Sequence, residues 1–173
     1  HHITMIVVKD TSVLIHLAKI TLLEKSCDYL KKVIIPTMVY NEVLAGKNKG
    51  YEDVRIVENL VKDKKILVKT VKRKDLLQKA NELNIKKGEA EAVVLYWQEH
   101  ADYLASDDDN VRKKAVLLGI LMLGTPTIIL KLYRDKLIEK EKFLDSANKL
   151  KKIGWFNNSI IDKLLMEVKW KGQ

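Results

Sequence analysis

Cysteine, proline and glycine are all scarce in this chain of 173 residues, which holds 1 Cys, 2 Pro and 7 Gly. So few Gly and Pro exclude a collagen-like or low-complexity chain. The lone Cys27 has no partner for an intramolecular disulfide, which suits a reducing compartment and makes a cytoplasmic location the expectation. Gly-rich phosphate loops of both common kinds are missing, which removes most nucleotide-dependent chemistry. No two histidines have zinc-ligand spacing: His16 falls in an apolar helical stretch, where a packing role is the ordinary one, and His100 ends another. The longest apolar run, 115–130, is broken by Gly119, Gly124 and Thr125-Pro126-Thr127. It falls short of the roughly 20 residues a membrane helix needs.

What remains is a foldable chain, 47% hydrophobic and 32% charged. At this size one core buries roughly 70% of the unfolded surface, so residues 5–170 are expected to form a single domain. His1 to Thr4 read as the remnant of a purification tag, with Met5 as the expected start. The net charge of +9 is uneven, for 47–87 carries 13 Lys or Arg against 6 acids. Such a segment attracts polyanions, although Lys-rich helix faces are also ordinary solvated surface.

Short β-rich runs alternate with runs of helical period, the pattern of βαβ units on a parallel sheet. Strands are predicted at 5–8, 32–35, 66–71, 102–105 and 120–123, mostly unalternating, as strands covered on both faces should be. Helical period follows in Val54, Val57 and Val61, and in Leu76, Leu77, Ala80 and Leu83. Thr21 with Glu24, and Ser159 with Asp162, have capping-box spacing. Thr125 before Pro126 suits a helix start, and Gly46 and Gly154 suit helix stops. After Thr125 the pattern is all helical, over 125–136, 143–153 and 159–169, and these helices are expected to cover the sheet or form a dimer surface. The aromatic pairs Tyr96-Trp97 and Trp155-Phe156 read as core, and Cys27 as buried rather than nucleophilic.

The informative feature is where a few acids fall. Asp10 follows the first strand, and Asp107, Asp108 and Asp109 follow the strand ending at Ala105. In open parallel sheets ligands bind in the crevice at the carboxyl ends of strands, so the two acidic turns can share it. Glu42 and Glu89 lie on stretches otherwise apolar or small, with Glu91 two residues beyond. Taken singly, each has an ordinary explanation as a cap or a first-turn acid. Together they repel, by up to about 4 kcal/mol for charges 4 Å apart near a surface, unless a cation sits among them. Ligation by oxygen alone selects Mg²⁺ or Mn²⁺ over Zn²⁺.

Val-Val-Lys-Asp10-Thr-Ser-Val-Leu-Ile, the helix carrying Glu42 after Ile-Ile-Pro, Gly88-Glu89-Ala-Glu-Ala, and Leu-Ala-Ser106-Asp107-Asp108 with Arg112 and Ala115 behind it resemble a PIN-domain protein. The likeness is nearest to the archaeal and bacterial subgroup of VapC-like toxin ribonucleases. It implies a three-layer α/β/α fold with a central parallel sheet of about five short strands and extra C-terminal helices. It also implies a metal-dependent endoribonuclease that cleaves RNA phosphodiester bonds with a metal-activated water, the toxin of a toxin-antitoxin pair.

Carried over by residue, Asp10, Glu42, Glu89 and Asp108 become the catalytic metal ligands for Mg²⁺ or Mn²⁺. Asp107 rivals Asp108, and Glu91 rivals Glu89; two residues apart on a helix, only one of the latter can face inward. Thr11, Ser12, Ser106 and Asn110 are candidates to orient the ligands. The basic segment, with Lys69, Lys72, Arg73, Lys74, Lys86 and Lys87, is the candidate RNA-binding surface. An antitoxin protein and a second copy in a homodimer are the implied partners, with no membrane. Lys9, next to Asp10, has two destinations open to it, solvent or the metal site. The competing reading is a non-catalytic RNA-binding or interaction module that retains the PIN fold.

Overall fold

In a computed structural model of the protein, which describes residues 5–46 and 53–171, strands and helices alternate along the chain as their hydrophobic periods require. The elements are β1 (Ile6–Lys9), α1 (Thr11–Lys19), α2 (Leu23–Leu30), β2 (Lys32–Pro36), α3 (Thr37–Ala45), α4 (Asp53–Lys62) and β3 (Ile66–Lys69). They continue with α5 (Lys74–Glu82), α6 (Lys87–Gln98), β4 (Tyr103–Ala105), α7 (Asp109–Leu118) and β5 (Met122–Leu123). Three helices close the chain: α8 (Thr125–Arg134), α9 (Lys140–Ile153) and α10 (Asn158–Lys171).

The strands form one sheet in the order β3-β2-β1-β4-β5, every neighbouring pair parallel. The chain therefore winds outward from β1 to β3 and returns to place β4 against the other side of β1. That reversal between β1 and β4 is the kind of switch point at which a crevice opens beyond the strand ends. Strand pleat sends successive side chains to opposite faces. Val8, Ile34 and Leu104 enter a core with Val93, Ala90 and Leu95 of α6 and with Val111 and Ala115 of α7. On the opposite face Lys9 reaches Ser26 and Cys27 of α2. Sheet and two helical faces make the three-layer α/β/α arrangement, and full burial of Val7, Val8, Ile34 and Ile35 explains why the strands read as apolar runs.

The chain gathers into two compact units, one ending at Leu123 and the other starting at Gly124. The second consists of α8 to α10 around Ile128, Ile129, Leu132, Phe143 and Leu150, and the Tyr133 and Phe143 rings stack with centroids 4.7 Å apart. Among the described residues, no helix is long and apolar enough to cross a membrane.

Several expectations about helix ends need correction. Thr21 does not cap α2: its φ of 61° is left-handed, and the helix starts at Leu23 behind Leu22, with no side-chain cap. Ser159 does not cap α10 either, because its own N–H donates to Asn157 Oδ1 at 2.9 Å. Thr125 is the first residue of α8, and Gly124 occupies the cap position. Gly46 and Gly154 do end helices, Gly154 with a φ of 76° that favours Gly. The third strand stops at Lys69 rather than at 71. Phe156 is core, but its neighbour Trp155 is 53% exposed and is not.

Candidate active site

At the carboxyl end of β1, the Asp10 N–H still donates to Ala105 O of β4 at 3.1 Å, so backbone pairing fixes Asp10 beside the turn after β4. Its carboxylate accepts from Ser12 Oγ at 2.7 Å and Val13 N at 3.2 Å through one oxygen, and from Ser106 Oγ through the other. Across the switch point, Ser106 Oγ accepts from the Asp108 N–H at 3.1 Å, and Asp108 Oδ1 accepts from Val111 N at 2.9 Å. Asp10 and Asp108 are thus the N-caps of α1 and α7, the ordinary role their positions suggest. Capping occupies part of each group and does not preclude a second role. Burial at 2% exposure pushes the Asp10 carboxyl up to about 6, outweighing the hydrogen bonds from Ser106, Ser12 and Val13 that act the other way.

The two glutamates close on the same crevice. Thr11 Oγ1, one residue past Asp10, donates to Glu42 Oε2 at 3.2 Å. The Glu42 carboxylate lies against Gly88: a Cβ built there would stand 3.0 Å from Glu42 Cδ and 3.3 Å from Oε2, with Oε1 nearer still. Only the absence of a side chain at position 88 permits this approach. Lys87, immediately before, has a φ of 52°, a left-handed conformation that in a non-Gly residue costs energy and tends to concentrate at functional sites. Glu89 follows in the first turn of α6. Its carboxyl is pushed up to about 7, first by desolvation and then by the negative charges of Asp108, Asp10 and Glu42, with Lys87 opposing. The Glu89 carboxyl is thus coupled to three acids that come from other stretches of the chain.

Other predicted positions separate clearly. Glu91 turns to α3, its Oε1 accepting from Met38 N at 3.2 Å, whereas Glu89 is the one coupled to the acidic group. Asp107 is buried, with Oδ2 2.7 Å from His16 Nδ1. Ser12 and Ser106 orient Asp10, and Thr11 orients Glu42. Asn110 does not reach the acids: its amide donates to Asn84 O at 3.0 Å, tying α7 to the turn before α6. Lys9 takes neither destination open to it. It is fully buried behind the sheet, with Nζ 2.8 Å from Ser26 Oγ and 3.8 Å from Cys27 Sγ. Burial holds its amine below the usual lysine range and pushes the Cys27 thiol up.

The basic segment is less uniform than its composition. Lys69 pairs with Glu99 at 2.5 Å and Arg73 with Asp75 at 2.8 Å, so their charges are locally matched. Lys86 and Lys87 stand at the start of α6 beside Glu89. Lys47 and Lys49 lie outside the described residues. Sequence reasoning missed two participants: Gly88 as the seat of Glu42, and His16. The signal for His16 was its place in an apolar face, between Val13, Leu14, Leu17 and Ala18, where an unpartnered imidazole would be costly.

As a donor set, Asp10, Glu42, Glu89 and Asp108 offer only carboxylate oxygen and mutual repulsion, which fits a hard divalent cation. Among the described residues no group of three or more His, Cys, Asp or Glu side chains already stands together closely enough to hold a metal ion. Asp10 is fixed by three donors, so ligation would draw in the exposed Glu42 and half-buried Glu89 by side-chain rotation.

A doubly wound parallel sheet with carboxylates at its switch point defines an α/β protein with an acidic site beyond the strand ends. The family model DUF3368, a PIN domain, matches residues 6–169, and the chain belongs to the PIN-domain family. PIN domains are generally nucleases, hydrolases that act on nucleic acid and generally use divalent metals. No curated protein and no solved structure matches the chain.

Proposed function

We propose that the protein is a Mg²⁺- or Mn²⁺-dependent endoribonuclease. The observation that carries this reading is that, in a chain of the PIN family, Asp10 and Asp108 are held on one Ser106 hydroxyl at the carboxyl ends of β1 and β4. Asp10, Glu42, Glu89 and Asp108 would hold the cation. Bound there, it would supply an activated water and neutralise charge on the phosphate. Asp10 is the fixed member, held by Ser12 and Ser106; Asp108 is set by its cap to Val111; Glu42 and Glu89 adjust around them. No side-chain nucleophile is required. Lys86 and Lys87, with Arg112 and Lys113 early in α7, would hold the RNA backbone through charge, a salt-sensitive and sequence-independent contact.

A toxin role with an antitoxin partner, and a homodimer, extend this reading by resemblance. The exposed Val116, Leu117 and Leu121 offer an apolar edge of the kind that a second copy would cover. Residues 5–170 would act as one functional domain, which the 6–169 span of the family model supports.

The test is cleavage of a 5′-labelled RNA by purified protein with Mn²⁺ or with chelator. Activity is expected only with Mn²⁺, and Asp10→Asn, which keeps a capping oxygen, is expected to reduce it more than about 100-fold, beyond the effect of losing an outer partner. Cleavage that survives both chelator and Asp10→Asn overturns the reading. One observation favours the non-catalytic alternative: no three acids already stand at ligating distance among the described residues. That alternative predicts salt-sensitive RNA binding with no product at any Mn²⁺ concentration.

A further inference from the structure

The mechanism above leaves the buried pair of His16 and Asp107 unused. His16 is 4% exposed and Asp107 2%, and they meet at 2.7 Å although 91 residues separate them in sequence. Neither helix capping nor the proposed ligand set calls for a buried imidazole here. We infer that His16 is a positioning residue for the acidic site: by holding the Asp107 carboxylate on α1 it fixes the 106–108 turn with Asp108, not Asp107, presented to the cation. The inference rests on the proposed function and deepens it.

The geometry is a clamp with three jaws on one helix. Asp10, the cap of α1, accepts from Ser106 Oγ; Ser12, in its first turn, accepts from the Asp107 N–H at 3.1 Å; His16, one turn further, engages the Asp107 side chain. Together they fasten α1 to the turn after β4 across the switch point. The neighbouring Asp108 N–H donates to the same Ser106 hydroxyl that grips Asp10. Releasing Asp107 would add a mobile fifth carboxylate beside four that already repel one another.

The experiment measures the Kd of the full chain for Mn²⁺ alone, by the loss of the free-ion EPR signal, together with the melting temperature of each variant. The amide nitrogen of Asn stands where Nδ1 of His stands, while that of Gln reaches the position of Nε2. His16→Asn is therefore expected to keep the wild-type Kd within about threefold, and His16→Gln to weaken it by about 10–100-fold, the range for loss of an outer partner. Asp107→Asn still offers His16 an acceptor oxygen and is expected to bind like wild type. Equal Kd values for His16→Asn and His16→Gln overturn the inference, and so does a loss of tenfold or more in Asp107→Asn, which would make Asp107 itself a ligand. A purely structural pair would lower melting temperature in both His16 variants and leave Kd unmoved. If the wild-type chain does not bind Mn²⁺, the proposed function falls and takes the inference with it; if it does, the variants judge the inference alone.

Discussion

Gly88→Ala separates the site from the fold. The new Cβ would stand 3.0 Å from Glu42 Cδ and 3.3 Å from Oε2, distances that backbone cannot relieve but an exposed glutamate can, by rotating away. Folding should lose little, because Ala favours a helix over Gly by up to about 1 kcal/mol and this roughly offsets the displacement. The site should lose more. With Glu42 expelled from the crevice, Mn²⁺ affinity is expected to fall by about 10–100-fold, equal to about 1.4–2.8 kcal/mol. Isothermal titration with Mn²⁺, run beside thermal melts, reads both quantities. A second variant sharpens the result: Glu42→Gln added to Gly88→Ala should cost little beyond Gly88→Ala alone, since both remove one group. Unchanged Mn²⁺ affinity in a folded Gly88→Ala chain would refute the reasoning, as would full additivity of the two substitutions.

Two other perturbations follow. The Lys9 amine is buried and biased towards neutrality, so the unfolded chain binds the extra proton and stability should rise with pH between the depressed folded value and the ordinary 10.5. Lys9→Met should stabilise the protein at pH 7, with the gap closing as pH approaches 10; Ser26 keeps its bond to Leu23 O, and urea melts at three pH values check this. Glu89 runs the other way. Its folded value of about 7 against 4.5 means that the folded chain holds the proton longer, so metal-free stability should fall as pH rises from about 4.5 to above 7. Glu89→Gln should remove the Glu89 share of that decline, leaving the one due to Asp10 below about pH 6, and stabilise by roughly 1–2 kcal/mol at pH 8, a figure reduced for partial exposure; the same stability change from pH 5 to pH 8 in Glu89→Gln as in the parent chain would contradict the coupling.

Much of this architecture was legible because strands covered on both faces must be apolar runs, and five such runs separated by helical periods leave few topologies. The acids after β1 and β4 could be placed at one crevice for the same reason. What escaped depended on contacts between distant segments. Thr21 and Glu24 had the spacing of a cap, but the tight left-handed turn at Thr21 moved the helix start past it. Lys9 had solvent and the metal site open to it, and the pleat of β1 sends it instead behind the sheet to Ser26. The resemblance prefers Asp108 to Asp107 and Glu89 to Glu91, but the contacts that engage the two rivals, His16 and Met38, lie too far off in sequence to be read from it. Asn110 shared the neighbourhood of the acids in sequence, yet the first turn of α7 points it at Asn84.

The central claim is that four carboxylates, drawn from four places in the chain, bind one cation site. A crystal structure of the full chain grown with Mn²⁺ tests this through the anomalous signal of the metal. A peak is expected in the crevice between the ends of β1 and β4, bonded at roughly 2.0–2.6 Å to Asp10 and Asp108 and to rotated Glu42 or Glu89 oxygens. A peak ligated instead by Asp107 or Glu91, or no peak at saturating Mn²⁺, would contradict it.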